Sequence, residues 1–425
     1  MKKYSLLSLG CPKNLVDSEL FAGLIEQKDF TRTEDLTEAE IIIINTCGFI
    51  LDAKEESIQT ILDIAELKKT GKLNKLIVTG CLVKRYYDDI KATIPEIDEL
   101  VDLKDFSKFA KIFDVPEKAE RQLLTPSHYG YLRISDGCNN NCSYCAIPGI
   151  RGPLNSVPME SLIIEAKRMA AKGVKELIVS AQDTAQYGVD IYGEQRLAEL
   201  LEELHKIEDI KWIRVLYLHP AHVTTKIIDT FAKLPKICNY FEIPLQHIND
   251  DILTSMNRKV SQERIEEIIA EIKTKIPDAV IRTTFIVGYP YENDAAYNDL
   301  KNFLTSTKFG RVGVFTYSRE EDTAAFDISE DVAEETADAR KDELMMIQQK
   351  ISEDFLASYV GKTIPVIIDK LGEVGEFIYE GRSYFDAPEI DGIVFIESGD
   401  AEIGDIVEVE IVDAWEYDLI GRINN

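Results

Sequence analysis

Three short apolar runs near the start of the chain each close on a cysteine. SLLSL leads into Gly10-Cys11, IIIINT into Cys47-Gly48, and KLIVTG into Cys81. The cysteines lie 36 and 34 residues apart, close to one strand–helix unit each. The runs Tyr4–Leu9, Ile41–Ile44 and Leu76–Val78 are β-branched or leucine-rich and are separated by helical patterns, which predicts β-α-β-α-β with a parallel sheet. Strands of such a sheet point the same way, so their carboxyl ends share one edge, where α/β proteins bind ligands. Three cysteines remote in sequence are expected to meet there. Gly10, Gly48 and Gly80 flank them and let backbone approach a bulky group. The plain alternative is three inert buried thiols.

The opening MKKYSLLSLGC has another reading, a signal sequence whose cysteine carries lipid. A signal needs an apolar stretch of roughly 7–15 residues. Tyr4–Leu9 supplies six residues, two of them serine and one tyrosine. No run reaches the ~18 apolar residues of a membrane helix. The expected location is cytoplasmic, with no membrane partner. In that compartment spaced cysteines bind metal or do redox chemistry more often than they form disulfides. With 425 residues the chain is too long for one core and implies two to four domains. The net charge of −28 opposes binding to a phosphate backbone and favours a basic partner. A merely solvated acidic surface is the bland alternative.

Residues 114–128, DVPEKAERQLLTPSH, read as a linker. Alternation then restarts, with strands predicted at Tyr131–Ile134, Glu176–Ser180, Trp212–Leu218, Tyr240–Ile243, Val280–Val287 and Arg311–Tyr317. Helical patterns such as Ser161–Lys172 and Ser261–Lys275 lie between them. Six βα units predict a partial barrel. A charged helix is expected from about Asp331 to Tyr359, and the last stretch reads as a small all-β barrel of the OB type.

The sharpest motif is DGCNNNCSYC, directly after the first predicted barrel strand. It carries Cys138, Cys142 and Cys145 as C-x3-C-x2-C. Such a loop wraps one compact thiophilic object. Three thiolates suit an iron–sulfur cube with one iron uncovered; zinc is the rival, but a structural zinc site wants four ligands. C-x3-C-x-aromatic-C at this place resembles the radical S-adenosylmethionine (SAM) enzymes. The resemblance implies that the open iron chelates SAM, that a radical follows from SAM cleavage, and that Tyr144 sits against the adenine. Cys11, Cys47 and Cys81 read as ligands of a second cluster. Cys238 has no such partners and reads as a core thiol.

An α/β domain with three cysteines, a radical SAM barrel and a small β-barrel together are similar to the methylthiotransferases. The implied fold is α/β multidomain: a parallel α/β domain (1–116), a partial (β/α)6 radical SAM core (124–355) and a TRAM, OB-like β-barrel that binds substrate (356–425). The implied cofactors are two 4Fe-4S clusters and SAM, and the implied reaction replaces an unactivated C–H by C–SCH3. GCPKNLVDSE and GRSYFDAPEIDG (381–392) resemble the protein-modifying, RimO-type branch; tRNA-directed members usually carry Gln-Met or similar after the first cysteine. From Leu356 onward four Lys/Arg face sixteen Asp/Glu, a balance of −12 that suits a basic protein better than RNA. The implied substrate is the β-carbon of an aspartate in small-subunit ribosomal protein twelve, free or within the 30S particle. The implied helpers are an external electron donor and a sulfur donor. A tRNA adenosine substrate is the alternative.

Other candidates follow predicted strand ends. Gln182, Asp183 and Tyr187 follow the second strand, His219 the third, and Gln246 and His247 the fourth. Gln182, Asp183, His219, Gln246 and Arg258 are expected to line the SAM pocket with Tyr144. Arg258 suits a carboxylate of SAM or of the substrate. Tyr187, His247 and Arg151 are expected to touch substrate. For each, loop packing or a helix cap is the alternative. His219 and His222, in HPAH, read as polar loop histidines rather than zinc ligands. The resemblance has two departures. Val157 stands where Arg is usual, which implies a missing contact, and Tyr291 stands where Gly is usual, which implies an altered turn.

Overall fold

Ile41–Thr46 is buried at every position, which a strand tolerates when both faces of its sheet are covered. In the computed structural model, which describes residues 2–424 apart from Val374 and Glu376, it is the central strand of the first domain. The strands there are β1 (Lys2–Ser8), β2 (Phe30–Arg32), β3 (Ile41–Thr46), β4 (Lys75–Gly80) and β5 (Glu99–Leu100). The helices are α1 (Pro12–Ile25), α2 (Leu51–Thr70), α3 (Cys81–Thr93) and α4 (Phe106–Phe113). All strand pairs are parallel, in the order β2-β1-β3-β4-β5. The three predicted strands form the middle. The two edge strands are additions: FTR and EL are too short and too polar to stand out as apolar runs. Residues 114–128 hold no helix or strand. They are nonetheless pinned to α1, where Glu19 accepts the Leu124 N–H at 2.9 Å and pairs with Arg121 at 3.3 Å.

The second domain starts with β6 (Tyr129–Arg133). A hairpin of β7 (Ser135–Asp136) and β8 (Asn155–Ser156) then flanks helix α5 (Ile147–Arg151). There follow α6 (Met159–Ala171), β9 (Glu176–Ser180), α7 (Val189–Tyr192), α8 (Leu197–His205), β10 (Trp212–Val215) and α9 (Thr225–Lys233). The series closes with β11 (Tyr240–Glu242), α10 (Asp250–Ser255), α11 (Gln262–Lys275), β12 (Val280–Val287), α12 (Asp294–Thr307) and β13 (Arg311–Thr316). Two parallel three-stranded sheets, β6-β9-β10 and β11-β12-β13, are joined by a bridge between Ile213 and Ile237. The result is the expected partial barrel of six strands. Strand β10 stops at Val215, short of the predicted Leu218, because Tyr217 adopts φ +61°, outside any strand conformation.

Helix α13 (Glu334–Ala357) leads to the third domain, a closed barrel. Its strands β14 (Thr363–Leu371), β15 (Tyr379–Ser383), β16 (Val394–Ser398), β17 (Ile406–Ala414) and β18 (Leu419–Ile423) run in the order β14-β15-β16-β18-β17. This barrel sits under the amino ends of the second domain's strands. Glu176, first in β9, lies 2.7 Å from both Arg214 and Arg382. Tyr240, first in β11, donates to Asp391 at 2.7 Å, and Arg311, first in β13, pairs with Asp386 at 2.5 Å. Tyr129, Tyr131, Trp212 and Tyr240 share one apolar cluster with Val366, Phe385 and Ile411 of the small barrel. The stretch 381–392 is therefore the seam between two domains, and Arg382, Tyr384, Asp386 and Asp391 all bond across it.

Burial alone would push the Glu176 carboxyl up, but Arg382 and Arg214 outweigh it and hold the group below its ordinary value. Glu176→Gln is expected to cost about 3 kcal/mol in denaturant unfolding, because it leaves two buried guanidiniums under-compensated. A depressed carboxyl stabilises the fold above its unfolded pKa of roughly 4.3 and ceases to do so as pH falls through the lower folded value. The gap between wild type and variant is thus full near pH 7 and closes in acid.

Candidate active site

Cys11, Cys47 and Cys81 meet at the carboxyl edge of the first sheet. Cys11 caps α1, Cys47 follows β3, and Cys81 is the first residue of α3. A Cβ on Gly10, whose φ is +83°, would fall 2.7 Å from Cys47 Cβ and 2.8 Å from its Sγ. Burial pushes the Cys81 thiol up to about 12, with Arg151 opposing and Cys11 and Cys47 adding to the rise. Burial also raises Cys47. Cys11 goes the other way. Burial disfavours its thiolate, but Lys13, Arg151 and the backbone N–H groups of Asn14 and Lys13 outweigh that and lower it.

Cys138, Cys142 and Cys145 lie on the loop between β7 and α5, beyond the carboxyl end of β6. Asn140 N–H points at Cys138 Sγ at 3.5 Å, and Arg258 Nη1 at Cys142 Sγ at 3.5 Å. Burial raises Cys138 to about 11 and Cys145 to about 12. All seven cysteines are free thiols, and Cys238 lies apart in the apolar cluster under the barrel, as expected of a core thiol.

One guanidinium connects the two sets. Arg151, on α5, reaches Asp136 at 3.2 Å, Asp17 on α1 at 3.1 Å, Asn14 Oδ1 at 2.6 Å and Cys81 Sγ at 3.7 Å. Arg133 adds a contact to Asp17 at 2.5 Å, and Lys104 of the first domain pairs with Asp136. Asp136 immediately precedes Gly137-Cys138, so the cluster is anchored on the loop that carries one cysteine set and the helix that follows Cys11. Arg151, expected to touch substrate, is buried and has both terminal nitrogens engaged within the protein. A second lock closes the far side, where buried Glu320 accepts Lys54 at 2.7 Å and Arg85 at 2.9 Å.

Five of the six expected pocket residues contact the second cysteine loop or Asp136 beside it. Tyr144 OH receives Arg258 Nη1 at 3.2 Å, and Gln182 donates to Asp136 at 2.8 Å. Asp183 holds Asn140 at 2.8 Å and His222 Nδ1 at 2.6 Å. His219 Nε2 lies 3.9 Å from Cys142 Sγ; burial, then Arg258 and His222, lower its pKa, so it stays neutral. Potential ligand atoms of Asp183, His219 and His222 lie within 4.8 Å of one another. Both oxygens of Asp183 are already hydrogen-bonded and His219 Nδ1 accepts the Ala221 N–H, so the trio reads as a hydrogen-bonded prop for the cysteine loop. Gln246 adopts φ +72° at a strand end. The other two residues expected to touch substrate are buried as well. Tyr187 is in the core with its hydroxyl on the Val157 carbonyl at 2.8 Å, and His247 is fully buried, its Nδ1 accepting the Asn249 N–H.

Residues 3–102 match the uncharacterized protein family UPF0004, residues 132–304 the radical SAM superfamily, and residues 360–423 the TRAM domain. The chain is 48% identical over 441 residues to the ribosomal protein uS12 methylthiotransferase RimO of Clostridioides difficile (strain 630), covering 100% of this chain and 99% of that one. It is 45% identical to the RimO of Lachnoclostridium phytofermentans, covering 99% of each. The chain belongs to the RimO family of methylthiotransferases. Among solved structures, the radical SAM methyltransferase TsrM from Kitasatospora setae shares the fold with a TM-score of 0.56 at 12% identity, covering 77% of each chain. The cobalamin-dependent radical enzyme OxsB does so with a TM-score of 0.53 at 10% identity, over 82% of this chain and 56% of that one.

RimO-family enzymes are radical SAM enzymes, with an iron–sulfur cluster and SAM as cofactors. The residues present fit both groups. Three soft donors stand at each cysteine site, and at the first Gly10 lets the Cys47 side chain approach where a Cβ would clash with it. Around the second, Gln182 Oε1, Gln246 Oε1 and Arg258 Nε are buried with no protein partner, which suits a polar ligand. The two departures from the family pattern resolve differently. Val157 packs on the barrel core, so apolar contact replaces a charge. Tyr291 holds φ +71°, the left-handed region that favours glycine, so the tyrosine carries backbone strain there. Sequence reading missed Lys13, Asn14, Asp17 and Asp136. The first three stood inside the quoted GCPKNLVDSE signature and Asp136 opens DGCNNNCSYC, which were the available signals.

Arg151→Lys keeps a charge but loses the planar fork that serves two carboxylates. It is expected to cost about 3 kcal/mol. Amide hydrogen exchange should quicken in α1 and in residues 136–152, with the seam around Arg382 unchanged.

Proposed function

We propose that this enzyme places a methylthio group on the β-carbon of an aspartate in ribosomal protein uS12. In this reading one 4Fe-4S cluster is held by Cys138, Cys142 and Cys145 and a second by Cys11, Cys47 and Cys81. Bound there, clusters and SAM supply radical hydrogen abstraction, which an unactivated C–H bond requires, and a methyl group for sulfur. The observation that carries the proposal is the convergence of two three-cysteine sets tied together by Arg151.

The chain's own residues bind, space and shield. Arg258, Gln182, Gln246 and Tyr144 would hold SAM through groups that have polar capacity to spare. Neutral His219 adds no charge beside Cys142. Arg151 and Glu320 fix the distance between the two cysteine sites, so a substrate carbon between them meets both without domain motion.

Substrate class is supported by charge. On the third domain Glu397, Asp400, Glu402, Glu408, Glu410 and Asp413 are exposed, while one of its four basic residues, Arg382, is buried. That surface repels a phosphate backbone and attracts a basic protein. It belongs to the domain under the amino ends of the barrel, at least a strand length of roughly 16 Å from the cysteines. A partner that touches both must be large, as a ribosomal protein or particle is.

Two measurements test the proposal. The triple variant Cys11→Ala, Cys47→Ala, Cys81→Ala should keep about four of roughly eight iron atoms after anaerobic reconstitution. It should lose methylthio transfer while still cleaving SAM. Loss of all iron, or none, would count against two separate clusters. In a competition with uS12 and bulk tRNA, mass spectrometry should find a methylthio gain on an aspartate of the protein alone. A gain on tRNA adenosine would overturn the substrate assignment.

A further inference from the structure

The last strand of the partial barrel, β13, pairs only with β12. Just past its end the Tyr317 N–H donates to the Val287 carbonyl at 2.8 Å. A parallel ladder alternates, so Phe315, Gly313 and Arg311 also turn their backbone groups toward β12. The N–H and C=O of Val312, Val314 and Thr316 point the other way, along an open edge. Among the described residues nothing bonds to them. Sheets usually defend such an edge with lysine, proline or a bulge. Here the register with β12 is unbroken, and the strand reads Arg-Val-Gly-Val-Phe-Thr, its arginine held by Asp386. Phe315 is 54% exposed beside that edge, although it is a large aromatic residue.

A groove of about 440 Å³ runs against the strand, walled by Gln348 and Ser352 of α13 and by Ile390 and Tyr417 of the third domain. Gln348 and Ser352 are buried, yet Gln348 Oε1 and Ser352 Oγ have no hydrogen-bond partner. Nε of Arg311, on the same wall, has none either. Unpaired strand groups and unpaired side-chain atoms along one groove indicate an occupant with its own regular series of donors and acceptors. A polypeptide main chain in extended form has that series at the right spacing. Charge narrows the choice. The groove's arginines, Arg282 and Arg311, are matched by Asp391 and Asp386. Glu389 and Glu416, next in the chain to Ile390 and Tyr417, are exposed. Such a rim repels phosphate and draws a basic segment.

We propose that β13 takes up an extended, basic segment of the protein substrate as an added strand, main chain to main chain. The proposal rests on the ribosomal-protein reading above and names a contact within it. β13 starts at the third domain, where Arg311 meets Asp386, and ends on the side of the barrel that carries the cysteines. A segment laid along it joins the acidic surface of the third domain to the reacting end. Phe315 gives an apolar seat for one of its side chains.

The test uses reconstituted holoenzyme and recombinant uS12. Amide hydrogen exchange is read residue by residue with fragmentation mass spectrometry, and binding by fluorescence anisotropy. On adding uS12, the amides of Val312, Val314 and Thr316 should slow by ~10-fold or more, as edge amides do when a ladder forms over them. Val312→Pro removes an outward N–H and no bond to β12. It should weaken uS12 binding by ~3–10-fold, the loss of one main-chain hydrogen bond. Val312→Ala trims the same side chain, keeps the N–H and should bind like wild type. Iron content and SAM cleavage without uS12 should match wild type in both. If uS12 binds and the three amides exchange as before, the proposal fails and the substrate reading stands. Equal weakening by Val312→Ala and Val312→Pro also overturns it, because packing and not the edge N–H is then what matters. Slowing that needs no uS12 and grows with enzyme concentration assigns the edge to a second copy of this chain and overturns it too. Should Val312→Pro fold poorly, exchange in the wild-type enzyme decides alone. Absence of any uS12 binding overturns the ribosomal-protein reading together with the proposal.

Discussion

A guanidinium with almost no access to water sets the distances on which this molecule's chemistry depends. Arg151 is attracted at once to Asp17 in the first domain and Asp136 in the second, and it touches Cys81. Either carboxylate alone, buried, would be costly to ionise; with Arg133 and Lys104 added, three cations face two carboxylates across the boundary and both stay ionised. A planar fork serves several acceptors in fixed directions, which a lysine cannot do. The two cysteine sets therefore sit on what is electrostatically one block, although more than fifty residues separate Cys81 from Cys138.

The barrel is used differently at its two ends. Its carboxyl end carries loops with left-handed residues, unpaired polar atoms and thiols, all of which cost stability. Its amino end carries ion-pair networks, with Glu176, Arg214, Arg382, Asp386 and Arg311 buried and each in contact with an opposite charge. Strain at one end is held in place by order at the other, as is common where function and folding compete for the same scaffold.

Much of this was legible in the sequence where spacing is dictated by topology. A strand that ends in cysteine every thirty-odd residues admits few folds, and a three-cysteine loop after a strand has a well-defined place in a barrel. Edge strands such as Phe30–Arg32 were not legible, because a strand paired on one side needs no apolar run. The surroundings of Arg151, Tyr187 and His247 were not legible for one shared reason. A polar residue near a strand end looks the same in sequence whether it faces a ligand or a neighbouring domain, and only the packing distinguishes them. The stretch 381–392 was legible as a signature but not as a seam, since its partners Arg214, Tyr240 and Arg311 are scattered over the barrel.

That seam bears on how freely such domains can be exchanged. A small β-barrel at the end of a chain looks like an independent module, one that could be replaced to redirect an enzyme to another substrate. Here the barrel doubles as the stopper of its neighbour's core, and Arg382 and Asp386 each complete a charge network begun elsewhere. A graft that brought a new binding face without those two residues would leave Glu176 and Arg311 stranded in apolar surroundings. Substrate choice and fold integrity are thus written into the same short stretch, and new specificity must come from the outward strands while the seam is copied intact.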